Sequence, residues 1–120
     1  MKELKRKYLE ILKIELEDLK TDTETLLALS GERKDRGEIT NYVFLENMTL
    51  FKNLISGIEY MYASLCKMSM EKYNNLGEMI ADIDLGFRQK TKDSDFPEAV
   101  YTLVKRKLEK VLKYILGDEK

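Results

Sequence analysis

The sequence contains no histidine, which removes the commonest general base and the commonest metal ligand at neutral pH. Histidine-dependent triads, histidine-ligated zinc or haem sites and di-iron bundles with Glu-x-x-His pairs are therefore excluded within one chain. There is also no P-loop and no Gly-x-Gly-x-x-Gly motif, so we expect no nucleotide held by a glycine-rich loop. These absences predict a protein that is not an enzyme and uses no cofactor or metal.

Cysteine, proline and tryptophan are scarce, with one, one and none respectively. A lone Cys66 cannot form an intrachain disulfide, and secreted domains of this size usually carry several cysteines. We interpret Cys66 as a small core residue rather than a reactive thiol, because no histidine is present to activate it. With little proline and glycine, the composition is typical of helices rather than of sandwiches or barrels.

Neither sign of charge is in excess, since 21 basic residues face 22 acidic ones and the net charge is −1. No long-range field therefore attracts the chain to nucleic acid or to an anionic membrane. The N-terminal residues contain no uncharged apolar stretch that would indicate a signal peptide or a membrane span. We expect a cytoplasmic protein with no membrane partner.

Amphipathic helical patterning is what the sequence does contain. The chain has 120 residues, of which 43% are hydrophobic and 36% charged, enough for one core and too apolar for disorder. In the first half, the apolar residues recur every three or four positions, as on the buried stripe of a helix. The sequence predicts a single domain, residues 1–120, that folds as an all-α antiparallel bundle of about four helices.

The boundaries of the first three helices follow from breaks in this pattern. We expect a first helix over residues 4–29, a loop between Gly31 and Gly37, and a second helix from Thr40 or Asn41 to about residue 68. Segments 40–68 and 70–87 are either one long helix or two. A turn at Ser69 or at residues 74–77 would separate them, and the pattern leaves the choice open.

The last helix has the most distinct start. Residues 88–94 are polar and are predicted to form a loop, and the following Asp95-Phe96-Pro97-Glu98 is similar to a capping box with an early proline. Gly117 is predicted to end the helix.

A group of methionines surrounds the undecided connection between the second and third segments. Because methionine is flexible and polarizable, this group is a candidate surface for an adaptable partner helix. The alternative is that these side chains fill gaps in the core. The group consists of Met61, Met68, Met70 and Met79.

Basic residues define a second candidate surface on the last helix. Arg106, Lys110 and Lys113 fall on one outward face, which residues 88–92 could extend through Arg88, Lys90 and Lys92. This pattern supports a nucleic-acid-binding helical module as one alternative function. No aromatic residues interleave with the cations, and cations near a helix C-terminus also favour the helix dipole. We therefore do not expect nucleic acid to be the main partner.

Paired carboxylates supply a second alternative, a magnesium-dependent nucleotide hydrolase. Such enzymes hold Mg²⁺ between acidic side chains one turn apart on facing helices. The pairs with that spacing are Glu15 with Asp18, and Glu78 with Asp82, although acids on outward helical faces are usually solvated. Asp84 falls on an apolar side, which we interpret as a sign that the helix ends near residue 86.

The favoured prediction is a non-enzymatic helical protein-interaction module: an adaptor, a chaperone-like protein or a self-associating bundle. Its partner would be another protein or a second copy, bound by packing of a helix in an apolar groove. In architecture the chain resembles small helical adaptors and export chaperones. The stretch from Leu26-Leu27 to Glu32-Arg33 resembles, over fewer than ten residues, the leucine-then-Glu-Arg pattern of flagellar chaperones. This short match assigns the chain to no family.

Overall fold

The computed structural model describes residues 2–117, which form four α-helices and one short 3-10 helix. Between residues 2 and 117 there is no strand, and the helices pack against one another. The predicted all-α, four-helix bundle is confirmed. The α-helices are α1 (Lys2–Asp35), α2 (Asn41–Cys66), α3 (Leu76–Asp93) and α4 (Glu98–Leu116), and the 3-10 helix is Met70–Lys72.

The longest helices, α1 and α2, form an antiparallel pair. Lys20 Nζ lies 2.8 Å from Glu59 Oε2, and Asn47 donates a hydrogen bond to Ser30 at 3.1 Å. Helix α4 packs on both of them. The buried Tyr8 hydroxyl of α1 donates to the carbonyl oxygen of Leu108 at 2.9 Å, and Gly57 of α2 contacts Val100. The core comprises one stripe from each α-helix together with Tyr73: Tyr8, Leu9, Leu12, Leu16, Leu19, Leu54, Ile58, Met61, Leu65, Tyr73, Met79, Ile83, Phe87, Val100, Val104, Leu108 and Val111.

The α1–α2 pair extends beyond α4. Val100, in the first turn of α4, packs against Gly57, and α2 contains 16 residues before that point. We call residues 22–54 the distal hairpin; its α1 portion, residues 22–35, spans about 20 Å. The molecule is correspondingly elongated, with extents of 54 × 35 × 19 Å.

The first helix is longer than predicted. It continues through Gly31 to Asp35, and the proposed loop contributes its last turn. The charged residues there lie on the helix surface, where the Lys34 ammonium sits 4.8 Å above the Phe44 ring. The chain turns at Gly37, whose φ of +76° is the left-handed conformation that glycine adopts without strain.

The connection between α2 and α3 shows that segments 40–68 and 70–87 are separate helices. Helix α2 begins after Thr40, whose side chain accepts a hydrogen bond from the Val43 amide, as expected for an N-cap. It ends at Cys66, which is exposed, so the interpretation of this residue as part of the core is wrong. Asn75 caps α3 by accepting from the Glu78 amide at 2.9 Å.

Helix α3 is also longer than predicted. It runs through residue 86 to Asp93, so neither the expected loop at residues 88–94 nor the expected end near residue 86 is found. Phe87 and Thr91 keep the inward stripe intact over this polar segment. The buried Thr91 hydroxyl donates to the carbonyl oxygen of Phe87 at 2.8 Å, so its burial leaves no unpaired donor.

The ends of α4 agree only in part with the sequence. Pro97 occupies the N-cap position without a side-chain hydrogen bond, and Asp95 has a φ of +56°, so the predicted capping box is wrong. Gly117 ends the helix in the left-handed conformation, as predicted. None of the helices between residues 2 and 117 has the length and apolar character needed to cross a membrane.

Candidate functional site

An apolar groove of about 690 Å³ lies between α3 and α4, where the N-terminal end of α1 approaches them. Its volume falls in the range of ligand and peptide sites in proteins. Most of its surface belongs to apolar atoms, and four polar residues also line it: Asn75, Asp84, Lys105 and Glu109. The aliphatic side chains are Leu4, Leu76, Ile80, Leu108, Leu112 and Leu116.

Helical spacing produces this groove. On α4, Leu108, Leu112 and Leu116 succeed one another every four residues and therefore form one ridge. Only Leu108 is buried, while Leu116 is 58% exposed. This leucine ridge therefore runs from the core to the surface, and its exposed end is open to a partner.

The α3 wall of the groove combines large and small residues. Leu76 and Ile80 add to its apolar surface, and the wall is low where Gly77 and Ala81, one turn apart, line it. Small residues allow the backbone of a second helix to come close. A partner helix can therefore approach α3 most closely along Gly77 and Ala81, opposite the leucine ridge of α4.

A polar cluster closes one end of the groove. Asp84 Oδ1 accepts a hydrogen bond from the Tyr101 hydroxyl at 2.6 Å, and Arg88 lies 3.3 Å from Asp84 Oδ2. The sequence placed Asp84 on the apolar side of its helix, and these two partners explain how its carboxylate is accommodated there. Burial, and secondarily the charge of Asp84, raises the pKa of the Tyr8 phenol, which remains a donor to Leu108.

The four methionines of the candidate partner surface do not share one environment. Met61 and Met79 are completely buried in the core, where no partner can reach them. Met68, just before the 3-10 helix, and Met70, its first residue, are half-buried and pack against the core. Core filling, the alternative considered from the sequence, describes the first two.

Arg106, Lys110 and Lys113 of the candidate basic face are exposed, as the helical pattern predicts. Lys110 is also engaged within the molecule, because its Nζ lies 3.1 Å from Glu15 Oε1 on α1.

The basic residues of α3 do not simply extend this face. Arg88 contacts Asp84 and Tyr101, whereas the Lys90 ammonium lies 4.4 Å above the Tyr60 ring of α2. Arg88 and Lys90 therefore face different helices. Arg106 and Lys113 lie on the outward face of α4 with Lys110.

The candidate magnesium ligands also have separate environments. Glu15 is bonded to Lys107 and Lys110, and Asp82 accepts a hydrogen bond from the Tyr73 hydroxyl. Asp18 and Glu78 are exposed on α1 and α3. In the part of the chain that the structure describes, no three acidic or cysteine side chains lie close enough to hold one metal ion. The convergence that a nucleotide hydrolase requires is not found there.

Two candidate binding surfaces were not located from the sequence. The first is the groove itself, which depends on how three helices are placed. The second is an exposed apolar face on the distal hairpin, formed by Leu26, Leu29, Val43 and Leu50, which are 39–50% exposed. A signal was available, since the apolar patterns of the first two segments are longer than those of the last two.

No protein-family model, curated protein or solved structure matches this chain. The geometry of its surfaces is therefore the basis on which a function is proposed.

Proposed function

We propose that the protein is a non-enzymatic interaction module whose α3–α4 groove binds an amphipathic helix of another protein. The observation that carries this proposal is the open apolar groove, in which the leucine ridge of α4 continues from the core onto the surface. Surface grooves of this kind mark interaction sites, since exposed apolar area gains free energy when it is covered.

The dimensions of the groove fit a helix. Its α4 wall runs from Lys105 to Leu116, twelve residues that span about 16 Å, or three turns of a partner helix. A partner with apolar residues at positions i, i+4 and i+7 would place one side chain against each turn of the ridge. The low wall at Gly77 and Ala81 gives its backbone room to approach.

The groove also explains why a protein is a better partner than a small polar ligand. Of the polar residues that line the groove, Asp84 is bonded to Arg88 and Asn75 caps α3, which leaves Lys105 and Glu109 against six aliphatic side chains. We also propose a cytoplasmic location. The exposed, unpaired Cys66 supports it, because such thiols persist in reducing compartments.

The test is site-specific photo-cross-linking in the native host, followed by binding measurements with the captured protein. A photoreactive residue at Ala81, inside the groove, should capture a partner that the same residue at Glu10, on the outer side of α1, does not. The purified partner helix should then bind the chain, and Leu112→Lys should weaken binding at least ~10-fold.

Arg106→Glu is the matched control on α4, because it changes charge on the outward face and leaves the groove intact. It should bind like the unchanged chain. The proposal fails if Leu112→Lys, shown by circular dichroism to be folded, binds the captured protein as tightly as the control.

A further inference from the structure

The distal hairpin presents an apolar face that continues the surface covered by α4. Gly57 is the residue of α2 that contacts Val100 of α4. Leu50 precedes it by one heptad and Val43 by two, so both residues lie on the same side of α2 as Gly57. On α1, Leu29 follows Glu15 by two heptads, and Glu15 contacts Lys107 of α4. In both helices of the hairpin, the exposed apolar residues therefore lie on the side that α4 covers farther along the α1–α2 pair. Helix α4 begins too late to cover them in the hairpin itself.

We propose that a second copy of this chain covers this face, so that two distal hairpins pair around a twofold axis. A hairpin with one apolar face lacks two helices of a four-helix arrangement, and a second hairpin supplies both at once. The pairing is independent of the α3–α4 groove and leaves it open for another protein.

Charge along the face favours a second copy over an unrelated partner. Asp22, Leu26, Leu29 and Arg33 follow at spacings of four, three and four, which place them on one stripe of α1. Asp22 lies where the hairpin joins the rest of the molecule, and Arg33 lies near its tip, about 16 Å away along the helix. In an antiparallel pair, Asp22 of one copy meets Arg33 of the other, and Leu26 meets Leu29.

Such a stripe is complementary to itself, which is the property a twofold interface requires. The two charges are too far apart along one helix to pair within a chain. Asp22 and Arg33 are both exposed. The Nε of Arg33 lies 3.4 Å from Glu38 of the same chain, but this pair is exposed, and the guanidinium has further N–H donors to offer to Asp22 of the other copy.

The area is sufficient for a weak dimer. Two helices about 20 Å long and about 10 Å apart give a face that buries on the order of 1,200 Å² in the pair, the lower limit for specific interfaces. We therefore expect a dimer that dissociates at about micromolar concentration.

Sedimentation equilibrium of the full chain over a range of concentrations tests the proposal. The unchanged chain should approach twice the mass of one chain, and Leu26→Lys or Leu50→Lys should remain monomeric. Leu45→Lys is the matched control, because Leu45 is equally exposed but lies about 140° around α2 from Leu50. A monomer at all concentrations, or a dimer that survives both face variants, overturns the proposal.

A charge exchange tests the antiparallel arrangement. Asp22→Arg and Arg33→Asp should each weaken the dimer about tenfold, and the double variant should restore it, because the opposite charges then meet again. A double variant that is as weak as either single one contradicts the proposed pairing. Leu112→Lys in the groove should leave the dimer unchanged, which separates this proposal from that of the partner helix.

Discussion

Gly57 of α2 lies directly against the side chain of Val100 in α4. A Cβ atom at residue 57 would stand 2.7 Å from Cγ2 and 2.9 Å from Cγ1 of Val100, closer than van der Waals contact permits. The absence of a side chain at this position therefore sets how closely α4 approaches α2.

Gly57→Ala should destabilise the fold. Overpacking of this kind costs about 1–3 kcal/mol, partly offset by the roughly 1 kcal/mol that alanine gains over glycine within a helix. Urea unfolding measures the difference. Gly86→Ala is the control, because a Cβ there meets no atom within 4 Å, and it should stabilise the fold. Equal effects of the two substitutions would contradict the close approach.

Lys5→Met should loosen the connection between α2 and α3. The Lys5 side chain is buried, and its Nζ donates to the carbonyl oxygens of Met70 at 2.9 Å and Tyr73 at 2.7 Å. Loss of these charge-assisted bonds leaves two acceptors without this donor, at a cost of about 2 kcal/mol. Limited proteolysis should cut residues 67–75 faster than in the unchanged chain.

The control for this variant is Lys7→Met, an exposed position on the same helix. It removes the same charge without removing a bond to the connection, so its proteolysis should match that of the unchanged chain. If both variants are cut at the same rate, Lys5 does not hold the connection.

Glu15→Gln should remove a contribution to stability that depends on pH. Burial of the Glu15 carboxylate tends to raise its pKa, but hydrogen bonds from Lys110 and Lys107 outweigh burial and lower it. A lowered pKa in the folded state stabilises the fold above the ordinary glutamate pKa of about 4.3, and this contribution is lost as the pH falls through the lowered value.

At neutral pH, Glu15→Gln should therefore cost about 1 kcal/mol, and the difference from the unchanged chain should shrink below about pH 4. Urea unfolding at several pH values measures it. Asp18→Asn, an exposed acid on the same helix, should change stability by less than about 0.5 kcal/mol. A difference that stays constant from neutral to acid pH would contradict the role assigned to Glu15.

Tyr73→Phe should show the opposite dependence, at alkaline pH. Burial first, and the hydrogen bond to Asp82 second, raise the pKa of Tyr73 from 10.0 to about 12. A raised pKa stabilises the fold below pH 10, and this contribution disappears as the pH rises toward 12. The variant should cost about 1 kcal/mol at neutral pH through the lost hydrogen bond, and the difference should decline above about pH 10.

Unfolding followed by circular dichroism, together with tyrosinate absorbance, measures this effect. Tyr114→Phe serves as the control, because Tyr114 is 56% exposed. If the stability difference between Tyr73→Phe and the unchanged chain did not vary through the alkaline range, the raised pKa would be refuted.

The sequence predicted the helices well where apolar residues mark every turn. It failed where a polar residue occupies the inward stripe, as Thr91 does in the segment interpreted as a loop. A threonine hydroxyl inside a helix can bond to the carbonyl four residues earlier, as Thr23 does with Leu19 at 2.8 Å, and then packs like an apolar residue. Composition alone cannot distinguish that arrangement from a loop.

The candidate site was less predictable than the fold. Apolar spacing shows that Leu112 and Leu116 lie on one side of α4, but not that α3 leaves them uncovered. Similarly, the spacing of Glu15 and Asp18 suggested a shared ion, whereas two lysines of α4 are the partners of Glu15 in the structure. Contacts between distant segments decide both cases, and these depend on the placement of helices rather than on the period within one.

The length of the distal hairpin can change without altering the packing of the other helices. Its two helices pack on each other with a heptad period, so insertion or deletion of seven residues in both at once preserves the phase of every apolar position. Each such step changes the distance from tip to body by about 10 Å and leaves the groove between α3 and α4 unaltered. The length of the distal hairpin can therefore change in steps of two helical turns while the groove proposed to bind a partner helix keeps its structure.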